Sequence, residues 1–225
     1  MVRCECAGVH DPRRVVLTGG PGAGKTAVLE LIRQAFCKHV VVLPEAAGIL
    51  FGGGFPRGQH DEVRRAGQRA IYYVQREIEA ATVAIQSAVI LCDRGTVDGS
   101  AYWPGPDEFW QQVGTTLETE LTRYHAVIHL RVAPDGAYNH SNPLRLESAT
   151  EARAVDDRIF LAWARHPHRV VIEAQDDFMT KAAAAIEVIK QEVPACCRAH
   201  LLPSCRGHKD DGLPVGRPLT VNLAG

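Results

Sequence analysis

Residues 19–26 read Gly19-Gly20-Pro21-Gly22-Ala23-Gly24-Lys25-Thr26 and fill every fixed position of the pattern G-x-x-x-x-G-K-[ST]. No other feature of the chain narrows the possible folds as much. Backbone amides can wrap a phosphate only where side chains leave room, which is why glycines recur in such a loop. The wrap also needs a helix starting directly behind it, so that the positive end of the helix dipole adds to the amides. Both neighbours are present. Val15, Val16 and Leu17 are apolar on consecutive positions, as in a central parallel strand covered on both faces. From about Lys25 onward, Val28, Leu29, Ile32 and Phe36 recur at helical spacing. These residues predict a phosphate loop in which Lys25 reaches the β- and γ-phosphates of ATP or GTP and the Thr26 hydroxyl ligates Mg2+.

The rest of the chain repeats the strand–helix alternation. Short apolar runs at 40–43, 88–92, 126–130 and 169–174 read as further strands. Helical periodicity covers 61–87, as two helices or one bent one, then 150–165 and 176–192, with a further helix starting at DEFWQQVG. Residues 48–60 are glycine-rich and read as a flexible loop, and 131–149 read as a loop carrying Arg131, Arg145 and Glu147. The string βαβαβαβαβα predicts an α/β fold with a parallel sheet covered by helices on both faces. The expected organisation is an extension over 1–12, one domain over 13–193 and a flexible tail over 194–225.

Composition excludes several classes. Apolar residues make up 46% and charged residues 23% of the 225, which is ordinary for a packed domain. The formal net charge of −1 lacks the basic excess of a duplex-binding protein, so no nucleic-acid partner is expected. No stretch reaches the roughly 18 apolar residues of a membrane span. The N-terminus has no signal-like apolar core, and the expected location is the cytoplasm. Oligomeric state stays open.

Seven cysteines are present. Cys37 and Cys92 lie in apolar runs and read as buried thiols. Cys196, Cys197, Cys205, His200 and His208 offer zinc-ligand chemistry, and Cys4, Cys6 and His10 could join them. Their spacing is irregular and lacks a C-x-x-C pair, so the residues by themselves favour a tail carrying thiols over a metal site.

Candidate catalytic residues come from the strand ends, where open α/β sheets bind their ligands. Asp93 ends the run AVILC, the position from which a carboxylate holds a Mg2+ shell. Arg94 follows it and can clamp a phosphate or orient an acceptor. Asp98, in the same loop, reads equally well as a turn residue or helix cap. Glu45 follows the second strand through Pro44 and can accept a proton from an attacking hydroxyl, or simply be an exposed loop residue. Gln68, on the next helix, can hydrogen-bond an acceptor. Of Arg131, Arg145, Arg153 and Arg158, Arg145 is the best placed to neutralise transferring charge, because its segment can close over the site. Tyr72, Tyr73, Tyr102, Trp103 and Trp110 gather on the acceptor side, as a pocket wall or as core.

Taken in order, GGPGAGKT, PEAA, LCDRGTVDGSAYWPG, AVIHLRVAP, NPLRLESATEA and DDRIFLAWARHPHRVVI resemble the P-loop ATP/GTP-binding family of AAA-type ATPases related to the kinase domain of ribosylnicotinamide kinases. That family is in turn similar to nucleoside and nucleotide kinases. The resemblance spans roughly residues 13–190. It implies a three-layer P-loop NTPase fold whose five-stranded parallel sheet has the order 2-3-1-4-5. It implies nucleotide and Mg2+ at Lys25 and Thr26, a reaction centre at Asp93 and Arg94, an acceptor-side base at Glu45, and a lid over 131–158.

The expected activity is therefore ATP–Mg2+-dependent phosphoryl transfer to a small, nucleoside- or nucleotide-like acceptor. A nucleotide-dependent switch or adaptor with slow hydrolysis and no acceptor is the alternative. No N-K-x-D guanine motif occurs in the sequence, which favours ATP over GTP.

Overall fold

The structure is a computed structural model that describes residues 6–83, 87–106, 108–132, 149–175 and 177–198. Five strands, β1 (Arg13–Thr18), β2 (Val40–Leu43), β3 (Val89–Asp93), β4 (Ala126–Leu130) and β5 (Arg169–Ile172), pair in parallel in the order β2-β3-β1-β4-β5. This is the 2-3-1-4-5 order implied by the resemblance. The consecutive apolar residues of the central strands are divided by the pleat, because successive side chains leave a strand on opposite faces. Val15, Leu17, Val89, Leu91, Ile128 and Leu130 enter one core, with Val28, Leu29 and Ile32 of α1 (Lys25–Ala35) and Ala182, Ala185 and Ile189 of α8 (Phe178–Glu192). Val16, Ile90, Cys92 and Val127 enter the other, with Val155 and Ile159 of α7 (Ala149–Ala162) and with Trp163. The interior strands are apolar on both faces along most of their length; a polar side chain within them, such as buried His129 of β4, has a fixed partner, here Asp156.

Between β2 and β3 the chain forms α2 (Ala46–Gly52) and α3 (Asp61–Val83). The glycine-rich segment expected to be a loop is thus helical over its first turns. An apolar run decides this: Phe51 lies over Gly67 of α3, where an added Cβ would come 3.6 Å from the ring. That contact outweighs the poor helix propensity of Gly48 and Gly52. The segment expected to hold two helices or one bent helix is a single α3 of 23 residues. Three short helices, α4 (Asp98–Tyr102), α5 (Phe109–Val113) and α6 (Leu117–Leu121), connect β3 to β4. A further short helix, α9 (Ala195–Arg198), follows α8 and buries Cys197 in the core, so the first residues of the segment read as a tail pack on the domain. Within the described residues no helix is long and apolar enough to cross a membrane.

Candidate active site

The phosphate loop joins β1 to α1, as the motif requires. Gly19 has φ 138°, and a Cβ there would sit 2.1 Å from the Leu130 carbonyl oxygen, so the loop passes directly over the end of β4. A Cβ on Gly20 would meet Val132 and Asp156 at 2.7 Å. The loop is held from several sides. The Gly20 amide donates to Asp156 Oδ1 at 2.8 Å. Lys181 Nζ donates to the Ala23 carbonyl at 2.9 Å and also to the carbonyl of Arg131. Arg94 Nη1 donates to the Gly19 carbonyl at 3.1 Å. Lys25 Nζ folds back onto the carbonyls of Gly19 and Gly20, at 2.9 and 3.0 Å. Contacts within the chain therefore fix the shape of the loop from several sides.

Asp156 and Lys181 were not singled out from the sequence. A signal was present in each case. Asp156 falls on the buried α7 stripe with Ala152, Ile159 and Trp163, and Lys181 on the buried α8 stripe with Ala182, Ala185 and Ile189. A charged residue on an apolar stripe must have a fixed partner, since an unpaired buried charge is costly. Asp156 is 1% exposed and accepts from Gly20 N and from Val132 N at 3.1 Å, with His129 Nε2 at 2.8 Å and the Arg131 guanidinium ion-paired to it at 3.1 Å. Burial opposes its ionisation, but these partners outweigh burial and hold its carboxyl below the usual range. Burial pulls the Lys181 ammonium down to about 8.

The strand-end residues converge on the same edge of the sheet. Asp93 closes β3 and is 9% exposed, and its Oδ1 is buried without a hydrogen-bond partner. Burial pushes its carboxyl up to about 6, with Lys25 and Arg94 pulling the other way. Burial, with Arg94 close by, draws the Lys25 ammonium down to about 8 against the pull of Asp93, Glu45 and Asp98. Arg94 adopts the left-handed conformation at φ 69°, rare for a side chain of its size and costing about 1 kcal/mol. Three contacts hold it there: Nε to Glu45 Oε1 at 2.8 Å, and Nη1 to the Gly19 carbonyl and to Asp98 Oδ1, each at 3.1 Å. The Tyr102 ring lies 5.5 Å below the guanidinium carbon. Burial works against ionisation of Glu45, but Arg94 and Lys25 more than offset it and keep the carboxyl below its ordinary value.

Asp98 resolves as the joint of this corner. It accepts from Thr18 Oγ1, from Gly95 N at 3.2 Å, from Trp163 Nε1 at 3.0 Å and from Arg94. Further support comes from the buried Glu120, which accepts from Thr96 Oγ1 at 2.7 Å and Tyr72 OH at 2.8 Å, while Tyr124 OH accepts from Thr96 N at 2.8 Å. Tyr72 and Trp103 are core residues, packed with Phe109. Of the arginines in the segment expected to be a lid, Arg131 pairs with Asp156 and Asp157, and Arg158 donates to the Ala101 carbonyl at 2.8 Å. Gln68 is half-buried on α3, and Thr26 is exposed at the start of α1. Arg145 lies outside the described residues.

The donor set fits a Mg2+ site. A buried carboxylate oxygen with no partner, raised in pKa beside a phosphate loop, is what a hard cation would complete. Residues 14–181, three quarters of the chain, match the family described as AAA domain. The chain belongs to that family. This AAA-domain chain also shares its fold with solved P-loop kinases. It superposes on the NadR protein in complex with NR at TM-score 0.62 and 15% identity, covering 80% of this chain and 51% of that one. It thus spans about half the length of the NadR chain. Deoxyadenosine kinase from M. mycoides, with bound dATP, gives TM-score 0.56 at 12% identity, covering 79% of this chain and 98% of that one. Thymidylate kinase from Candida albicans gives TM-score 0.56 at 12% identity, with 80% and 92% coverage. No curated protein matches the sequence. At these identities the likeness is one of fold.

Proposed function

We propose that this AAA-domain protein transfers the γ-phosphoryl group of ATP, with Mg2+, to a small hydroxyl or phosphate acceptor of nucleoside or nucleotide type. One observation carries the reading: Arg94 Nε holds the Glu45 carboxylate at 2.8 Å while its Nη1 holds the Gly19 carbonyl at 3.1 Å. An acid from the β2 side is thereby placed one guanidinium away from the phosphate loop. A protein that only binds nucleotide has no need of that arrangement. The three fold neighbours are consistent with it.

In this reading the amides of residues 19–26 hold the phosphates, and Lys25 turns from the loop carbonyls to the β- and γ-phosphates. Thr26 and Asp93 would hold Mg2+, which when bound neutralises charge developing on the phosphate oxygens. Glu45, ionised at neutral pH, orients an acceptor hydroxyl and accepts its proton. Arg94 stabilises charge on the transferring group and keeps Glu45 from swinging away.

The test is ADP release from Mg-ATP with and without nucleosides, nucleotides, nicotinamide riboside, sugars and aminoglycosides. Strong stimulation by one acceptor class is expected. Glu45→Gln should lower that stimulated rate by about 10²- to 10⁴-fold while leaving ATP affinity nearly unchanged. Tight nucleotide binding with slow release that no acceptor alters would replace the kinase reading with the switch or adaptor.

A further inference from the structure

At the N-terminal ends of the strands, opposite the phosphate loop, three segments distant in sequence meet. They are the arm before β1, the α1–β2 turn and α9. Cys6 Sγ lies 3.5 Å from His10 Nε2, His10 Nε2 lies 3.8 Å from Cys196 Sγ, and Cys196 Sγ lies 3.9 Å from Cys197 Sγ. All four donor atoms fall within 4.8 Å of one another. A tetrahedral zinc ion, with bonds of about 2.3 Å to sulfur and about 2.0–2.1 Å to nitrogen, sets sulfur atoms about 3.8 Å apart and sulfur and nitrogen about 3.5 Å apart. The three separations given match edges of that polyhedron and the other three lie within 4.8 Å, while the 3.9 Å between Cys196 and Cys197 Sγ is far too long for a disulfide, whose sulfurs stand about 2.05 Å apart.

We propose that Cys6, His10, Cys196 and Cys197 bind a structural zinc ion that fastens the N-terminal arm and α9 to the back of the domain. Three thiolates and one imidazole are a soft donor set suited to zinc, and four protein ligands close the coordination sphere, as in sites that hold a fold together and not in catalytic ones. The surroundings complete the pattern. The Gly8 amide points at Cys6 Sγ at 3.4 Å, the backbone donor that a metal-bound thiolate commonly accepts. His39 Nδ1 lies 3.3 Å from Cys197 Sγ and 3.7 Å from Cys37 Sγ, so it can donate to the Cys197 thiolate from outside the ligand shell. The rings of His10 and His39 meet edge to face at 5.2 Å. The exposed Lys38 puts a positive charge in the neighbourhood of Cys6, against the excess negative charge of three thiolates on one dication.

The irregular spacing that argued against zinc in the sequence has a structural explanation. Ligands in zinc modules come in close pairs because one short loop must supply two of them. Here the N-terminal ends of the strands and a helix end bring the pairs together, so Cys6 with His10 and Cys196 with Cys197 need no C-x-x-C turn. A strand of six residues lies between this cluster and the phosphate loop, a separation of roughly 20 Å, so the ion would brace the fold without touching nucleotide.

The test uses the untagged full chain, purified under reducing conditions, with zinc measured by elemental analysis and Co2+ used as a spectroscopic probe. The wild type should carry about one zinc per chain, and cobalt should give the intense visible bands and thiolate charge transfer of a tetrahedral sulfur-rich site. Cys6→Ser with Cys196→Ser should lower zinc to under about a tenth of an equivalent. Both residues lie at the surface of the cluster, one half-buried and one exposed, and circular dichroism with Mg-nucleotide binding checks that the variant is folded. A chelator should lower the melting temperature of the wild type and leave that of the double variant unchanged. A reduced wild type that binds no zinc, or cobalt bound without thiolate bands, overturns the proposal. So does zinc retained by the double variant but lost in His39→Gln, which would move the ion to the buried trio of Cys37, His39 and Cys197.

Discussion

Asp93→Asn separates what a residue does for stability from what it does for function. Burial raises the Asp93 carboxyl from 3.8 to about 6, so the folded chain holds that proton more tightly than the unfolded chain does. The sign follows: ionised Asp93 opposes folding. The handicap is absent below about pH 4, grows between about pH 4 and 6, and is complete above that. The rise corresponds to about 3 kcal/mol. Asparagine keeps the shape and removes the charge, but its amide also needs a partner where Oδ1 has none, so the net gain at pH 7 should be about 1–3 kcal/mol. In urea this moves the unfolding midpoint upward by about 1 M for a slope in the usual range of about 1–3 kcal/mol/M. The assay is paired urea unfolding of wild type and variant at several pH values between 4 and 8, with chelator and without nucleotide. The variant should be the more stable above about pH 6, and near pH 4, where only the amide cost remains, equal to wild type or less stable by up to about 2 kcal/mol. Mg-nucleotide should reverse the order at neutral pH, because the ligand stabilises only the chain that can complete its cation site. A variant less stable than wild type at neutral pH in the metal-free state, or a difference that does not change with pH, would refute the account of Asp93 as an acid held for a cation.

Lys25→Ala should leave the fold intact, since the Lys25 ammonium bonds only to the Gly19 and Gly20 carbonyls of its own loop, and should abolish measurable ATP binding by calorimetry. Unchanged affinity would remove it from the phosphate site. Arg94→Gly and Arg94→Ala lose the same ion pairs with Glu45 and Asp98, yet only glycine takes φ 69° without strain, so the glycine variant should be more stable by about 1 kcal/mol in thermal unfolding. Equal stability would mean that Arg94 is not strained. Asp156→Ala strands the buried Gly20 and Val132 amides, while Arg131 keeps Asp157, so it should cost about 2–5 kcal/mol and weaken nucleotide binding while leaving Lys25 in place. A loss below about 1 kcal/mol would show that the loop keeps its shape without that cap.

The sheet and its loop were legible because they depend on local pattern. Consecutive apolar residues at 15–17 and 89–92 cannot sit on a half-exposed strand, and Gly19–Thr26 needs a strand before it and a helix after it. Strand order came from the resemblance and agrees with the register of the four parallel pairings. Helix α2 was misread because its glycines describe backbone freedom, while its formation depends on Phe51 finding Gly67, sixteen positions along the chain.

The sequence by itself determined the α/β architecture and the phosphate loop, and it named Asp93, Arg94 and Glu45 as strand-end groups. Tertiary structure alone decided who holds them. Asp156 and Lys181 reach the loop from helices more than a hundred residues away, Asp98 joins Thr18 to Trp163, and Cys6 and His10 meet Cys196 and Cys197 across nearly the whole chain. The reason is geometric. Hydrophobic period and turn chemistry act over a few residues and are written locally. A hydrogen bond or a coordination sphere is satisfied only when atoms come within a few ångströms, and for residues far apart in sequence that distance exists only once the chain has folded.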